Sequence, residues 1–389
     1  MKRHKHKNSP SVVVIWLLVF FLLPLSYGMV PEEARDANPR DADISFDIRY
    51  PTQPDLKTSY GEIFLEAIIG ATNGIRRVSL NGRDLLDMSR MEAMIERNWE
   101  RPGQQENTKF QGMIQRLKEE LRRYHTYYLN QICPLTEGYN SLELLVEDNI
   151  GNQKAHQVSI QKIPSHKGYK GGHRMVLAIV PLDQKREDTA ETEAYIYKRL
   201  LESFAHQARF NLVEREKLPW LMIEKSIQAG EISQGDVAKQ IARVTPAEGV
   251  IFTDVQKLPD GIEIRARFVD VETGMTLLIN RVFAPIKDFK GDKAFEDLNI
   301  IISGLAMKFR DAFPLCSGKI VKKEGRTIHV DIGSENGIFP GMIYNIFKNG
   351  KEMISKAVIQ TVIEGSSTAR IPKGEKSWGV KAGYTVSTR

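Results

Sequence analysis

Cysteine is nearly absent from this chain: Cys133 and Cys316 are the only two in 389 residues. A disulfide framework of the kind that staples small secreted domains is thereby excluded, and so is a cysteine-rich zinc site. Histidine is no more telling. His125, His156, His166, His173, His206 and His329 are scattered, with no HExxH pair and no His–Cys spacing suited to a metal, and they read as surface or linker residues. The glycine-rich stretch SHKGYKGGH at 165–173 matches neither GxxxxGK[ST] nor GxGxxG, so it is no phosphate loop. Nucleophile, base and orienting group fall into no recognisable pattern; no catalytic residue, cofactor or metal is assigned. The aromatic fraction is only 8%, and no aromatic platform for a glycan stands out. The net charge of +6 includes a basic N-terminus. The remainder is too mildly basic to argue for nucleic acid, and it suits an anionic envelope surface or glycan.

Long apolar runs are scarce as well, and the single example is informative. Val12 to Leu25 follows the basic MKRHKHKNSP and ends at Ser26-Tyr27-Gly28, where small residues suit a signal peptidase. The expectation is a signal peptide over 1–28 and a periplasmic or envelope location. The run is shorter than the roughly 20 apolar residues of a bilayer span. An uncleaved segment acting as an inner-membrane tether is the alternative; otherwise membrane association comes only through partners.

What is present reads as three folded regions. Residues 29–43 are rich in Pro, Asp, Glu and Arg and form a linker. Over 44–163, short alternating runs are punctuated by Asn73-Gly74, Asn81-Gly82, Glu137-Gly138 and Gly151-Asn152, which predicts a β-sandwich. A helical insert is expected at 88–132: Phe110, Met113, Ile114, Leu117 and Leu121 recur at helical spacing, with Met91, Met94, Ile95 and Trp99 ahead of them. It is either a lid on the sheet or a docking hairpin that presents Trp99 and Phe110. After a second linker at 164–173, residues 174–313 run strand, helix, strand, two helices, buried strand, hairpin and helix, which predicts a mixed sheet with helices on its faces. In the hairpin IEIRARFVDVETG, Arg265 and Arg267 share one face and offer either a grip for an acidic partner or a solvated sheet face. Residues 314–389 hold short strands with a Pro340-Gly341 bend and predict a small closed barrel of about six strands.

Three resemblances follow from particular residues. Val213, Glu214, Arg215 and Leu218, then Gly249 to Ile251, then Ala266, Arg267, Val269, Asp270, Thr273 and Gly274 resemble the αβ domain of the curli-secretion lipoprotein family (CsgG), an anticodon-binding-like fold. That domain recurs in peptidoglycan-synthase activator lipoproteins and in the flagellar H-ring protein FlgT, and the likeness spans 174–313. The phrases VSLNG and EGYNSLELLVEDNIGN are similar to bacterial immunoglobulin-like modules. HVDIGSENGIFPGMIYNIF resembles the C-terminal barrel of FlgT. Members of the CsgG family are commonly lipoproteins, whereas this chain has no cysteine at the lipidation point, so export without a lipid anchor is expected.

Together these imply a multidomain, non-catalytic, outer-membrane-associated scaffold or assembly factor. Its partners would be envelope proteins. Homo-oligomerisation is implied by relatives that build rings, and peptidoglycan binding by a regulator of an envelope enzyme is the alternative.

Overall fold

The computed structural model describes residues 44–91, 93, 115–116, 119, 124–163, 174–180, 190–213, 233–286, 291–350 and 352–388. The expected signal peptide, both linkers, most of the helical insert, and Trp99 and Phe110 lie outside them.

The chain is multidomain and mostly β. Its first part contains β1 (Ile44–Tyr50), β2 (Leu56–Thr58), β3 (Glu62–Ala71), β4 (Ile75–Leu80), β5 (Arg83–Asp87), β6 (Thr126–Pro134), β7 (Gly138–Asp148) and β8 (Gln153–Lys162). They form a three-stranded sheet ordered β1-β3-β6 and a five-stranded sheet ordered β2-β8-β7-β4-β5. The sheets pack face to face because alternate residues of β3, Ile63, Leu65 and Ala67, meet Leu142, Leu144, Val158 and Ile160 of the other sheet. One expectation needs correcting. The insert predicted through Ile132 stops before Thr126, because TYYLNQICP pairs antiparallel with β3 from Gly70 to Glu62. Its Tyr-Tyr pair favours a strand over a helix.

The second part contains β9 (Met175–Val180), α1 (Ala190–His206), β10 (Phe210–Leu212), α2 (Gln234–Val244), β11 (Gly249–Leu258), β12 (Gly261–Asp270), β13 (Thr276–Ala284) and α3 (Asp292–Ala312). The sheet order is β10-β9-β11-β12-β13, with parallel pairs at β10–β9 and β11–β9 and antiparallel pairs beyond. Several residues of the hairpin motif have plain packing reasons. A Cβ at Gly249 would lie 2.2 Å from the Phe268 ring. Asp270 accepts from the N–H groups of Glu272 and Thr273 at 3.1 and 2.8 Å and so closes the turn. Gly274 adopts a φ of 72° that side chains resist. Beneath that turn starts α2, capped by the Ser233 hydroxyl, which accepts from the Asp236 N–H at 3.2 Å.

The last part contains β14 (Ser317–Glu324), β15 (Thr327–Val330), β16 (Ile343–Lys348), β17 (Glu352–Ile363), β18 (Ser366–Arg370) and β19 (Thr385–Thr388). These close into the expected six-stranded barrel in the order β14-β15-β18-β17-β16-β19. Its interior holds Ile320, Ile328, Tyr344, Ile346, Ala369 and Val386.

Helix α3 organises the whole. Along it, Leu298, Ile302, Leu305 and Phe309 join the core under the mixed sheet, while Gly304 faces the ring of Phe64 on β3. Thus β1-β3-β6 is covered on both faces, by the five-stranded sheet and by α3. Among the described residues no helix is long and apolar enough to cross a membrane.

Candidate functional site

A cleft of about 830 Å³ opens where the three parts meet. Its walls are the loop after β1, the rim of β13, the end of α3 and the barrel corner around Phe339-Pro340-Gly341. Leu277, Leu278 and Asn280 come from β13, and Phe268 and Phe313 give the floor an aromatic pair with centroids 4.8 Å apart. That size and apolar lining fall in the range of ligand sites.

The charged groups at the back of the cleft are already engaged. Lys308 donates to Glu66 of β3 and, at 2.8 Å, to the Arg281 carbonyl of β13. Arg310 donates to Asp311 at 2.8 Å, to Gln207 at 3.2 Å and to the Glu62 carbonyl at 2.9 Å, and it stacks on Tyr60 at 4.0 Å. Asp311 in turn accepts from the Tyr50 hydroxyl at 2.8 Å. Arg209, fully buried, donates to the Phe313 carbonyl at the end of α3 and reaches the Thr388 carbonyl of the barrel at 3.5 Å. Burial raises the Asp311 and Tyr50 pKa values, pushes the Tyr60 hydroxyl up to about 12, and lowers that of Lys308. Such a set of mutual hydrogen bonds fastens three sheets together; it holds no nucleophile beside a free base.

The rim is the opposite. Strand β13 is an edge of the mixed sheet, and Met275, Leu277 and Ile279 are 63%, 53% and 56% exposed. Arg265 and Arg267 fall on the same sheet face as Ile279, since Arg267 pairs with Ile279 and Arg265 with Arg281 across the ladder. Arg265 contacts Glu263 of its own strand at 2.8 Å, and Arg281 lies 3.8 Å from the same carboxylate. For Arg267 no ion-pair partner is found among the described residues. The structure therefore places Arg265 and Arg267 together, and it leaves Trp99 and Phe110 outside what is described.

Asp148, Asn149 and Asn152 build a turn between β7 and β8. The Asp148 carboxylate accepts from Asn73, from the N–H groups of Ile150 and Asn152, and from the Asn152 amide, at 2.8 to 3.0 Å. Sequence reasoning missed the apolar rim. The signal was there in Leu277-Leu278-Ile279, where consecutive apolar residues give a strand two apolar faces.

No family model matches the chain, and no curated protein matches it either. Among solved structures, the LpoB C-terminal domain from Escherichia coli is similar over 31% of this chain and 88% of its own, at 16% identity and a TM-score of 0.21. Lipoprotein GNA1162 from Neisseria meningitidis is similar over 36% of this chain and 99% of its own, at 14% identity and a TM-score of 0.24. TolB from Acinetobacter baumannii is similar over 50% of this chain and 57% of its own, at 11% identity and a TM-score of 0.24. At these scores nothing of what those proteins do passes to this chain.

Proposed function

We propose that the chain is an exported, non-catalytic envelope protein that acts as a scaffold or assembly factor through protein–protein contacts. The observation that carries this reading is the contrast at the cleft: Lys308 and Asp311 at its back are spent on holding the parts together, while its rim leaves Met275, Leu277 and Ile279 uncovered. A fastened joint beside an exposed apolar strand is a surface made to meet another protein. Export rests on the leader pattern of residues 1–28, and the CsgG-like and FlgT-like resemblances of 174–313 and 314–389 fit a periplasmic adaptor. A photo-crosslinker at Leu277 in living cells tests it. A discrete adduct with an envelope protein, absent when the crosslinker sits at exposed Val321 on the barrel, supports the scaffold. Recovery of the protein in the cytoplasm, or equal adducts at both sites, overturns it.

A second reading, glycan binding by a regulator of an envelope enzyme, has one observation of its own. Trp378 is 84% exposed, on a loop that Arg326 holds by donating to the carbonyls of Ile371 and Glu375 at 2.9 and 2.8 Å. A rigidly presented indole suits stacking on a sugar ring. Sedimentation with protein-stripped cell walls, lost on Trp378→Ala, would move the assignment to this reading.

A further inference from the structure

The open rim has a backbone as well as side chains. In β13 the even-numbered residues Leu278, Asn280, Val282 and Ala284 lie opposite Phe268, Ala266, Ile264 and Ile262 of β12. In an antiparallel ladder, alternate residues turn both N–H and C=O toward the neighbouring strand, and the residues between turn theirs away. Two observations fix which set faces outward. The Arg281 carbonyl is taken by Lys308 of α3 at 2.8 Å, and the Phe283 carbonyl by the Asn130 amide of β6 at 2.9 Å. Hence the outward set is odd-numbered. It is plugged by side chains at Arg281 and Phe283, and at Ile279 its N–H and C=O have no partner among the described residues.

Three other edges are blunted. At the far side of the same sheet β10 has three residues, and in the five-stranded sheet β2 has three and β5 is the charged RDLLD. Short or charged edges resist pairing, whereas a long apolar one invites it. The first half of β13 is apolar from Leu277 to Ile279 and unplugged at Ile279; its register shifts opposite Phe268 and Val269, and it forms a wall of the cleft.

Resting on the scaffold reading, we infer that this half of β13 receives an extended segment of a partner protein as an added strand. The segment places apolar side chains on the cleft side, toward Leu278 and Phe268, and carboxylates on the other side, toward Arg267 and Arg281. Charge argues for that partner over a second copy. Among the described strand residues, Arg265, Arg267 and Arg281 crowd one face with Glu263 and Asp254 as the acidic residues, and a second copy would bring more arginine. Main-chain bonds would supply affinity and the two faces specificity.

The probe is a labelled, end-blocked peptide of alternating valine and glutamate, titrated onto the purified full chain, with a valine–lysine peptide as its counterpart. Saturable binding of the glutamate peptide below about 1 mM, at least about tenfold tighter than the lysine peptide, is expected. Ile279→Pro deletes an outward N–H that the sheet does not use, a place where an edge strand tolerates proline. It should leave the fold intact by circular dichroism and weaken the peptide by about tenfold or more. Arg267→Glu should reverse the preference between the peptides. Equal binding of the two peptides, absence of binding at about 1 mM, or indifference to Ile279→Pro in a folded protein overturns the inference. So does a dimer in sedimentation that Ile279→Pro dissolves, which would make a second copy the occupant. A specific crosslink at Leu277 alongside such a failure would leave the scaffold reading standing and this mode of contact refuted.

Discussion

The joint beneath α3 buries charge, and the rim of β13 a few residues away exposes oil; each inverts the usual partition of side chains between water and core. At the joint, Lys308, Arg310 and Arg209 are buried, as is the side chain of Asp311, and each meets partners from another sheet. On the rim, Leu277 and Ile279 meet water. Buried charge tolerates few geometries, because each group must be answered, so the joint sets one arrangement of the three parts. Exposed apolar side chains on an edge set nothing within the molecule. Their removal should cost the fold little and any partner much.

The largest expected effect breaks the joint. Lys308→Ala strands the Glu66 carboxylate, which is buried, and should cost about 3–5 kcal/mol in the midpoint of chemical unfolding. Replacing the pair together, Lys308→Met with Glu66→Leu, should recover most of that loss, since an apolar pair of similar volume is often neutral. If the single and double variants fall equally, the pair is not what holds the joint.

Next in size is the close approach of α3 to β3. A Cβ at Gly304 would stand 2.5 Å from the Phe64 ring, so Gly304→Ala should destabilise by roughly 1–3 kcal/mol despite alanine's better helix propensity. Phe64→Leu should be less harmful in the Gly304→Ala background than alone, because the two sites share one space. Additive losses would show that the helix and strand do not interlock there.

A smaller effect follows from Asp311. Burial raises its pKa above the ordinary carboxylate value in spite of Arg310. A carboxyl raised on folding adds stability that is fully present below its unfolded pKa of about 3.9 and is lost as pH rises through the folded value. Asp311→Asn stays neutral and keeps a hydrogen-bond acceptor for Tyr50, so unfolding midpoints of the variant should fall less between mildly acidic and neutral pH than those of the parent. An unchanged pH slope would remove Asp311 from the titrating groups.

The sequence shows one side of this comparison better than the other, for physical reasons. Phe295, Leu298, Ile302, Leu305 and Phe309 recur at the helical period, which made α3 and its sheet-facing stripe legible. Its other face was not, because Gly304 and Lys308 are dictated by Phe64 and Glu66, the latter pair 242 residues apart. The barrel's strands and its closure were legible, but not the strand order, in which β19 sits between β14 and β16. Period two put Arg265 and Arg267 on one face. It could not say that β13 would end as an edge, since edge position belongs to the topology and not to any one strand.

The smallest effect on the fold is expected at the rim itself. Leu277→Thr with Ile279→Thr places a strand-favouring β-branched residue at both positions and removes methyl groups that water already touches. Neither side chain belongs to a buried cluster. Stability should stay within about 0.5 kcal/mol of the parent, as for surface substitutions away from special contacts. Under the scaffold reading, however, the variant should lose its adduct when the photo-crosslinker is moved to neighbouring Met275. A loss of several kcal/mol on the order of the Lys308 variant would mean that the rim is part of the structural core after all, and the contrast between joint and rim would fail. Stability and adduct both unchanged would keep the contrast and take the partner away from β13.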